Sequence, residues 1–526
     1  MVAARAGGMH ASQQRHKVAI IDFGSQYTQL IARRVRELGV YSEIFPYTAD
    51  AGTLRDFSAR CVILSGGPES VTEDEAPQPA CDIAALKAPV LGICYGMQWM
   101  ASRFGGEVEA AGHREFGHAD IEITGPTRLF GAGAGARLQT WMSHGDRVVA
   151  LPPGFSGVAR SRGSPIAAMA DEERGFYGLQ FHPEVTHTSN GREILRRFVC
   201  EIGGCQPQWR PGSIIEDSIR DIRERVGDEQ VVLGLSGGVD SSVAALLIHR
   251  AIGDQLHCVF VDNGLLRLGE REQVHDTFAR HFGMDLHTVP AAGIFLKALE
   301  GVVDPERKRR VIGGLFVDMF EEKARSLGDV RWLAQGTIYP DVIESASAGR
   351  EGARLIKSHH NVGGLPAKMR LKLLEPLAGL FKDEVRKIGL ELGLEREVLD
   401  RHPFPGPGLA VRVIGEVRGE ALELLRRADF IFMEELKNGG FYDRVAQAFA
   451  VMLPVKSVSV MGDGRHYGFV VVLRAVETDD FMTARYARLP PDFIEGVSRR
   501  IVNEVPGISR VCYDVSSKPP ATIEWE

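Results

Sequence analysis

Three things are scarce in this chain, and each scarcity removes a class of function. Cysteine is the first: seven in 526 residues, at 61, 81, 94, 200, 205, 258 and 512, with no Cys-x-x-Cys pair. An odd, scattered set offers neither a disulfide framework nor a structural zinc site, and it suits a reducing cytoplasm. Long apolar runs are the second, for none approaches the roughly 18 residues of a membrane-crossing helix. Surplus positive charge is the third. Against 69 acidic residues stand 62 basic ones, a net charge of −7 that argues against a dedicated nucleic-acid binder. Internal repeats and low-complexity tracts are missing too, and the Gly/Ala stretch 131–136 reads as a loop. Residues 1–16 lack the apolar core of a signal peptide and read as a disordered tail.

What is present is α/β patterning at ordinary globular composition, 44% apolar and 25% charged, in a chain too long for one core. From "KVAIIDFG" (17–24), β-branched runs alternate with helical stretches through "CVILSGGP" (61–68), "APVLGICYGMQWMASRFG" (88–105) and "GFYGLQFHPE" (175–184). Glycines and prolines in "IGGCQPQWRPG" (202–212) read as a linker. A second set has strand-like runs at 230–235, 256–262 and 331–335, and "RHPFPGPGL" (401–409) can continue neither helix nor central strand. Beyond it lie a helical stretch (420–437) and a hairpin pattern (457–476). These boundaries predict a tail at 1–16, α/β domains at 17–207 and 208–401, and a small α+β C-terminal domain at 402–526. Both α/β domains are expected to be doubly wound with mostly parallel sheets.

Residues 92–96 read Gly-Ile-Cys-Tyr-Gly between a strand-like and a helix-like run. Small flanking residues permit the sharp strand-to-helix turn that lifts a nucleophile above a sheet, and a helix N-terminus favours the thiolate of Cys94. "FHPEV" (181–185) places His182 and Glu184 two apart, so that an extended segment would aim an imidazole and its orienting carboxylate the same way. "LSGGP" (64–68) can direct backbone N–H groups at an oxyanion. Over roughly 17–203 the chain resembles the class I glutamine amidotransferases. The resemblance implies Cys94 as nucleophile, His182 as base, Glu184 as orienting acid, and N–H groups near Gly67 and Tyr95 as the oxyanion hole.

In "QVVLGLSGGVDSSVAALLIHRAIG" (230–253) the turn Ser236-Gly237-Gly238-Val239-Asp240-Ser241-Ser242 suits a phosphate at a helix N-terminus. It lacks the Walker lysine that serves γ-phosphoryl transfer, and Asp240 is an odd neighbour for phosphate unless Mg²⁺ lies between them. Such a loop suits retained pyrophosphate and cleavage between the α- and β-phosphates. "LSGGVDSS" resembles the signature of N-type ATP pyrophosphatases, which implies base contacts near Val261 and Mg²⁺ at Asp240.

Further segments, at 334–345, 356–366, 375–386, 402–415, 460–468 and 516–526, resemble the glutamine-hydrolysing GMP synthase family. That resemblance implies ATP, glutamine and XMP as substrates, Mg²⁺ with the ATP, a homodimer through the C-terminal domain, and no nucleic-acid or membrane partner. It also implies XMP contacts at Arg309, Asp463, Lys518 and Glu524, and an adenylation lid with Lys357, His359 and His360 near Asp341. Two rival readings are another glutamine-dependent ligase with both loops, and a sensor that only binds nucleotide or glutamine. An intact Cys94, His182 and Glu184 argue against the sensor.

Overall fold

The structure, a computed structural model, describes residues 16–131, 133–347, 371–461, 464–478, 481 and 483–526. Two compact units divide the chain, His10–Ile214 and Ile215–Glu526. No helix among the described residues is long and apolar enough to cross a membrane.

The first unit is built on nine strands: β1 (Lys17–Asp22), β2 (Tyr41–Pro46), β3 (Cys61–Leu64), β4 (Val90–Ile93), β5 (Glu107–Ile123), β6 (Arg137–Ala150), β7 (Ser156–Arg160), β8 (Ala168–Asp171) and β9 (Phe176–Leu179). They pair in the order β2-β1-β3-β4-β9-β8-β7-β5-β6. The half from β2 to β9 is parallel, and the remaining strands continue it antiparallel. Continuous apolar runs such as Val18-Ala19-Ile20-Ile21 are buried throughout, as strands covered on both faces must be. The Gly/Pro linker docks on this unit: the Trp209 N–H donates to the Gly39 carbonyl at 2.7 Å, and its ring meets Tyr41 at 4.7 Å.

The second unit starts with an all-parallel sheet of β10 (Gln230–Gly234), β11 (Leu256–Asp262), β12 (Asp285–Pro290), β13 (Val330–Ala334) and β14 (Lys372–Leu374). Its order, β12-β11-β10-β13-β14, reverses direction at β10, which puts the turn after β10 at a topological switch point. A second sheet joins β15 (Gln447–Met461), β16 (Gly464–Glu477) and β17 (Arg485–Tyr486) antiparallel, with β18 (Ile508–Tyr513) parallel to β16. One apolar cluster runs through the whole unit, from Val232 and Phe320 through Leu409 to Leu425, Phe432 and Leu473. The expected 401/402 boundary falls inside it. There Gly408, at φ +64°, sits so near the Leu265 carbonyl that a Cβ would lie 2.4 Å from that oxygen.

The chain end is pinned rather than frayed. Arg474 is fully buried and donates to the carbonyls of Ser516 (2.6 Å), Thr522 (3.1 Å) and Ile523 (3.3 Å), and it pairs with Asp514 at 3.1 Å. Removing one partner from a buried charge network leaves the rest uncompensated. Arg474→Met is expected to cost about 3–5 kcal/mol in urea unfolding of the C-terminal unit. Residues 514–526 should then become the first site of limited proteolysis.

Candidate active sites

The thiol site forms where β3, β4 and β9 end. Cys94 follows β4 directly, with φ 50° and ψ −106°, and the helix Tyr95–Arg103 begins at the next residue. A non-glycine residue holds such a backbone at a cost of about 1–3 kcal/mol, so its surroundings must fix it. They do so from both sides: Cys94 N–H donates to Leu179 (2.7 Å) and Gly96 N–H to Ser65 (3.0 Å). Both flanking glycines are required by space. A Cβ on Gly96 would lie 2.5 Å from the Leu64 oxygen, and one on Gly92 would lie 2.6 Å from Gly96.

His182 lies beyond the end of β9, its N–H bonded to Trp141 at 3.0 Å. Its Nδ1 meets Glu184 Oε1 at 2.7 Å, and both side chains are buried. The pair is made within a turn around Pro183 rather than on the extended segment expected, because β9 ends at Leu179. Burial disfavours a charged ring here, but the Glu184 carboxylate and then Cys94 outweigh it, and His182 is held well above the ordinary imidazole range. Gly67 packs on Tyr95, a Cβ there falling 3.3 Å from the ring, and the equivalent position on Gly66 is 3.2 Å from His182 Cε1. The sequence-predicted thiol, imidazole, carboxylate and Gly-Gly turn therefore meet in one place.

The phosphate loop stands at the switch point. Gly237 has φ +74°, Gly238 caps the helix Val239–Ile252, and the Ser242 hydroxyl donates to the Gly238 carbonyl at 2.7 Å. Ser236 and Ser241 hydroxyls bond each other at 3.0 Å. Val261 is buried in β11. The lysine missing from the motif arrives from elsewhere: Lys382 Nζ meets Asp240 Oδ2 at 2.5 Å across 142 residues. The other Asp240 oxygen, Oδ1, is buried with no hydrogen-bond partner. Asp341 caps its own helix, accepting from Ile338 N–H at 3.0 Å.

Of the residues assigned to XMP, Arg309 engages the chain end, and Glu524, within it, engages the body of the unit. Arg309 donates to the Glu526 carbonyl at 2.6 Å, and Glu524 accepts from Arg412 (2.9 Å) and Gln447 (2.7 Å). Lys518 has different partners, its ammonium on the Phe481 carbonyl at 2.8 Å and its backbone paired with Ala484. Asp463, Lys357, His359 and His360 lie outside the described residues.

Three family models match in succession: Glutamine amidotransferase class-I over residues 19–202, NAD synthase over 213–314, and GMP synthase C terminal domain over 434–525. Curated relatives match end to end. A glutamine-hydrolysing GMP synthase of Methylococcus capsulatus is 62% identical over 97% of this chain and 99% of its own. Those of Alkalilimnicola ehrlichii and Shigella sonnei are 61% and 59% identical, each over 97% of this chain and 99% of the relative. The chain belongs to the GMP synthase family. It is thus a glutamine-dependent carbon–nitrogen ligase of purine nucleotide biosynthesis.

For a GMP synthase, the sequence reading missed several groups around the thiol. The Ser143 carbonyl is 3.6 Å from Cys94 Sγ, and Gln180 Nε2 is 3.8 Å from the same sulfur. Gln98, one turn beyond Cys94, donates to the Asp146 carbonyl at 2.8 Å. His144 is buried between that carbonyl (2.9 Å) and Glu115 (3.2 Å), and burial lowers its pKa despite Glu115. The polar "SHGD" break in an otherwise strand-like run was the available signal.

Because Glu184 raises His182 above its unfolded value of 6.5, the pair's contribution to stability is complete below that pH. It is lost as pH rises through the folded-state value. Glu184→Gln is expected to drop the His182 pKa in an NMR titration and to flatten this pH dependence of unfolding. Glutamine-driven turnover should fall roughly 10²–10⁴-fold.

Proposed function

We propose that this GMP synthase makes its ammonia at Cys94 and consumes it at the Ser236–Ser242 loop. Cys94 Sγ attacks the side-chain amide carbon of glutamine. His182, with Nδ1 engaged by Glu184, takes the thiol proton at Nε2 and returns it to the departing ammonia. Backbone N–H groups of Gly67 and Tyr95 stabilise the oxyanion, Tyr95 being the first helical residue and so without an acceptor one turn back. Water then releases glutamate from the γ-glutamyl thioester. The buried His182–Glu184 pair beside a strained cysteine carries this reading, since a mere binding shell needs neither.

At the loop, Ser236, Gly237, Gly238, Val239, Ser241, Ser242 and Lys382 hold the β,γ-pyrophosphate of ATP, with the adenine near Val261. Asp240 fits a Mg²⁺ that travels with the ATP, since its buried Oδ1 lacks a partner. When bound, that ion neutralises the polyphosphate beside the carboxylate. The xanthine O2 of XMP takes the adenylyl group and pyrophosphate leaves. Ammonia then displaces AMP at C2 to give GMP. Arg309, Lys518 and Glu524 orient XMP, while Asp463 and the lid residues Lys357, His359, His360 and Asp341 keep their sequence-based assignments. The C-terminal family match speaks against a ligase for another acceptor.

The three functional segments are 17–207, 208–401 and 402–526. A cytoplasmic homodimer paired through the C-terminal sheet completes the reading. All seven cysteines are free, and the β15–β16 ribbon exposes Val458, Val460 and Tyr467.

Cys94→Ala is expected to abolish glutamine-driven GMP formation and to leave ammonia-driven formation near normal. Lys382→Met should instead lower both by about 10²–10³-fold. The check is quantitation of AMP, pyrophosphate and GMP with and without XMP. Joint loss in Cys94→Ala, or ADP in place of AMP, refutes the assignment.

A further inference from the structure

The N-terminal edge of the five-stranded parallel sheet carries a cluster that neither reaction uses. His257 lies opposite Asp285 in the β11–β12 register, and Asp285 and His287 are two apart on β12. All three side chains therefore leave one face of two neighbouring strands. His257 Nδ1 is 2.6 Å from Asp285 Oδ2, and His287 Nε2 is 2.9 Å from the same oxygen. One ligand atom from each residue falls within 4.8 Å of the others.

Gln230, on the adjacent β10, faces the other ring nitrogen of His257. Its Oε1 lies 3.1 Å from His257 Nε2, a contact that suits the tautomer with its hydrogen on Nε2. In a neutral ring that leaves the Nδ1 lone pair facing the carboxylate oxygen. A ring nitrogen and a carboxylate oxygen at 2.6 Å share either a proton or a metal cation. We propose that His257, Asp285 and His287 form a binding site for a first-row transition-metal dication, zinc foremost, with Gln230 holding His257 in the ligating tautomer.

Two imidazoles and one carboxylate select zinc and its neighbours over magnesium or calcium, which take oxygen ligands. Metal–ligand bonds of about 2.0–2.2 Å in a tetrahedron put the ligand atoms about 3.4 Å apart. The present separations of 2.6 and 2.9 Å need to open by about 0.8 and 0.5 Å, within the reach of small side-chain rotations. An outer acceptor on the second ring nitrogen is the usual companion of a ligating histidine, and Gln230 supplies it. The fourth position is open to water, since Asp285 is 43% exposed. This place is remote from catalysis: about 16 Å of β11 separates His257 from the end that faces the phosphate loop. Because β12 is an edge strand of the sheet, a metal here would staple it to β11.

The test uses the full chain, stripped by dialysis against a chelator and titrated with Co²⁺. The expected result is one equivalent with a visible ligand-field band that Zn²⁺ displaces and that His257→Ala/His287→Ala lacks. His287→Gln guards against misfolding of the double variant. Added Zn²⁺ should raise the thermal midpoint of the parent chain above any rise in His287→Gln, with ammonia-driven GMP formation equal in the two. Any zinc taken by Cys94 is common to both chains and cancels. Identical Co²⁺ spectra and stoichiometry in parent and double variant, or identical zinc shifts in parent and His287→Gln, would reduce the cluster to a proton-sharing trio and overturn the proposal.

Discussion

Cys94 can stand clear of its sheet only because the backbone there turns at φ 50°, and the turn exists because three strand ends clamp it. β9 accepts the Cys94 N–H, the segment after β3 accepts the Gly96 N–H, and the two glycines let helix and strand approach to contact. Everything else in the thiol site is placed relative to that clamp. The chain leaving β9 returns His182 beside the sulfur, and the segment leaving β3 supplies the Gly-Gly turn. The strain of about 1–3 kcal/mol is thus borne by the parallel half of the sheet, where the apolar runs are completely buried. Stability and the presentation of the Cys94 thiol are the same constraint seen from two sides.

The C-terminal unit solves a different problem, the burial of cations. Lys308, Arg412 and Arg474 are all fully buried, and each bonds the last residues of the chain or neighbouring carbonyls, with Arg412 Nη1 alone of their nitrogens buried without a partner. Lys308 donates to Val413 (2.7 Å) and Ala410 (3.2 Å) and pairs with Glu526. Arg412 also lies over the Phe449 ring at 4.2 Å. Unpaired, any of these would be prohibitive in such surroundings. The terminal segment is therefore structural as well as a candidate substrate contact, and it draws Lys308 and Arg309 inward while Glu306, Arg307 and Arg310 on the same turns stay exposed.

Local patterns were legible and distant ones were not. The elbow spacing around Cys94, the Ser236–Ser242 turn, the helix observed at Gly419–Asn438 and the long hairpin all declare themselves within about twenty residues of sequence. Periodicity and turn chemistry act at that range. Lys382 does not: "FKDEVR" reads as an ordinary helix start, and only the packing of its helix against the one that follows the loop reveals its partner. The same holds for the Ser143 carbonyl, a backbone atom that no residue type could announce. The His182–Glu184 contact was anticipated for the wrong local reason, since a turn rather than a strand brings the pair together.

The cations assigned to phosphates are not waiting unpaired. Lys382 is held by Asp240, Arg309 by Glu306 and the Glu526 carbonyl, and Lys518 by the Phe481 carbonyl. Substrate binding at these positions, as proposed, would exchange one hydrogen-bonded partner for another, so each contact would yield far less than an isolated ion pair. What the exchange preserves is geometry, because side chains already ordered by protein partners lose little rotamer freedom when phosphate replaces them. On the proposed reading it would also give Asp240 two environments, with Lys382 before ATP arrives and with a metal afterwards. An aspartate in a phosphate loop, anomalous when read from the motif alone, becomes the group that keeps a borrowed lysine in register.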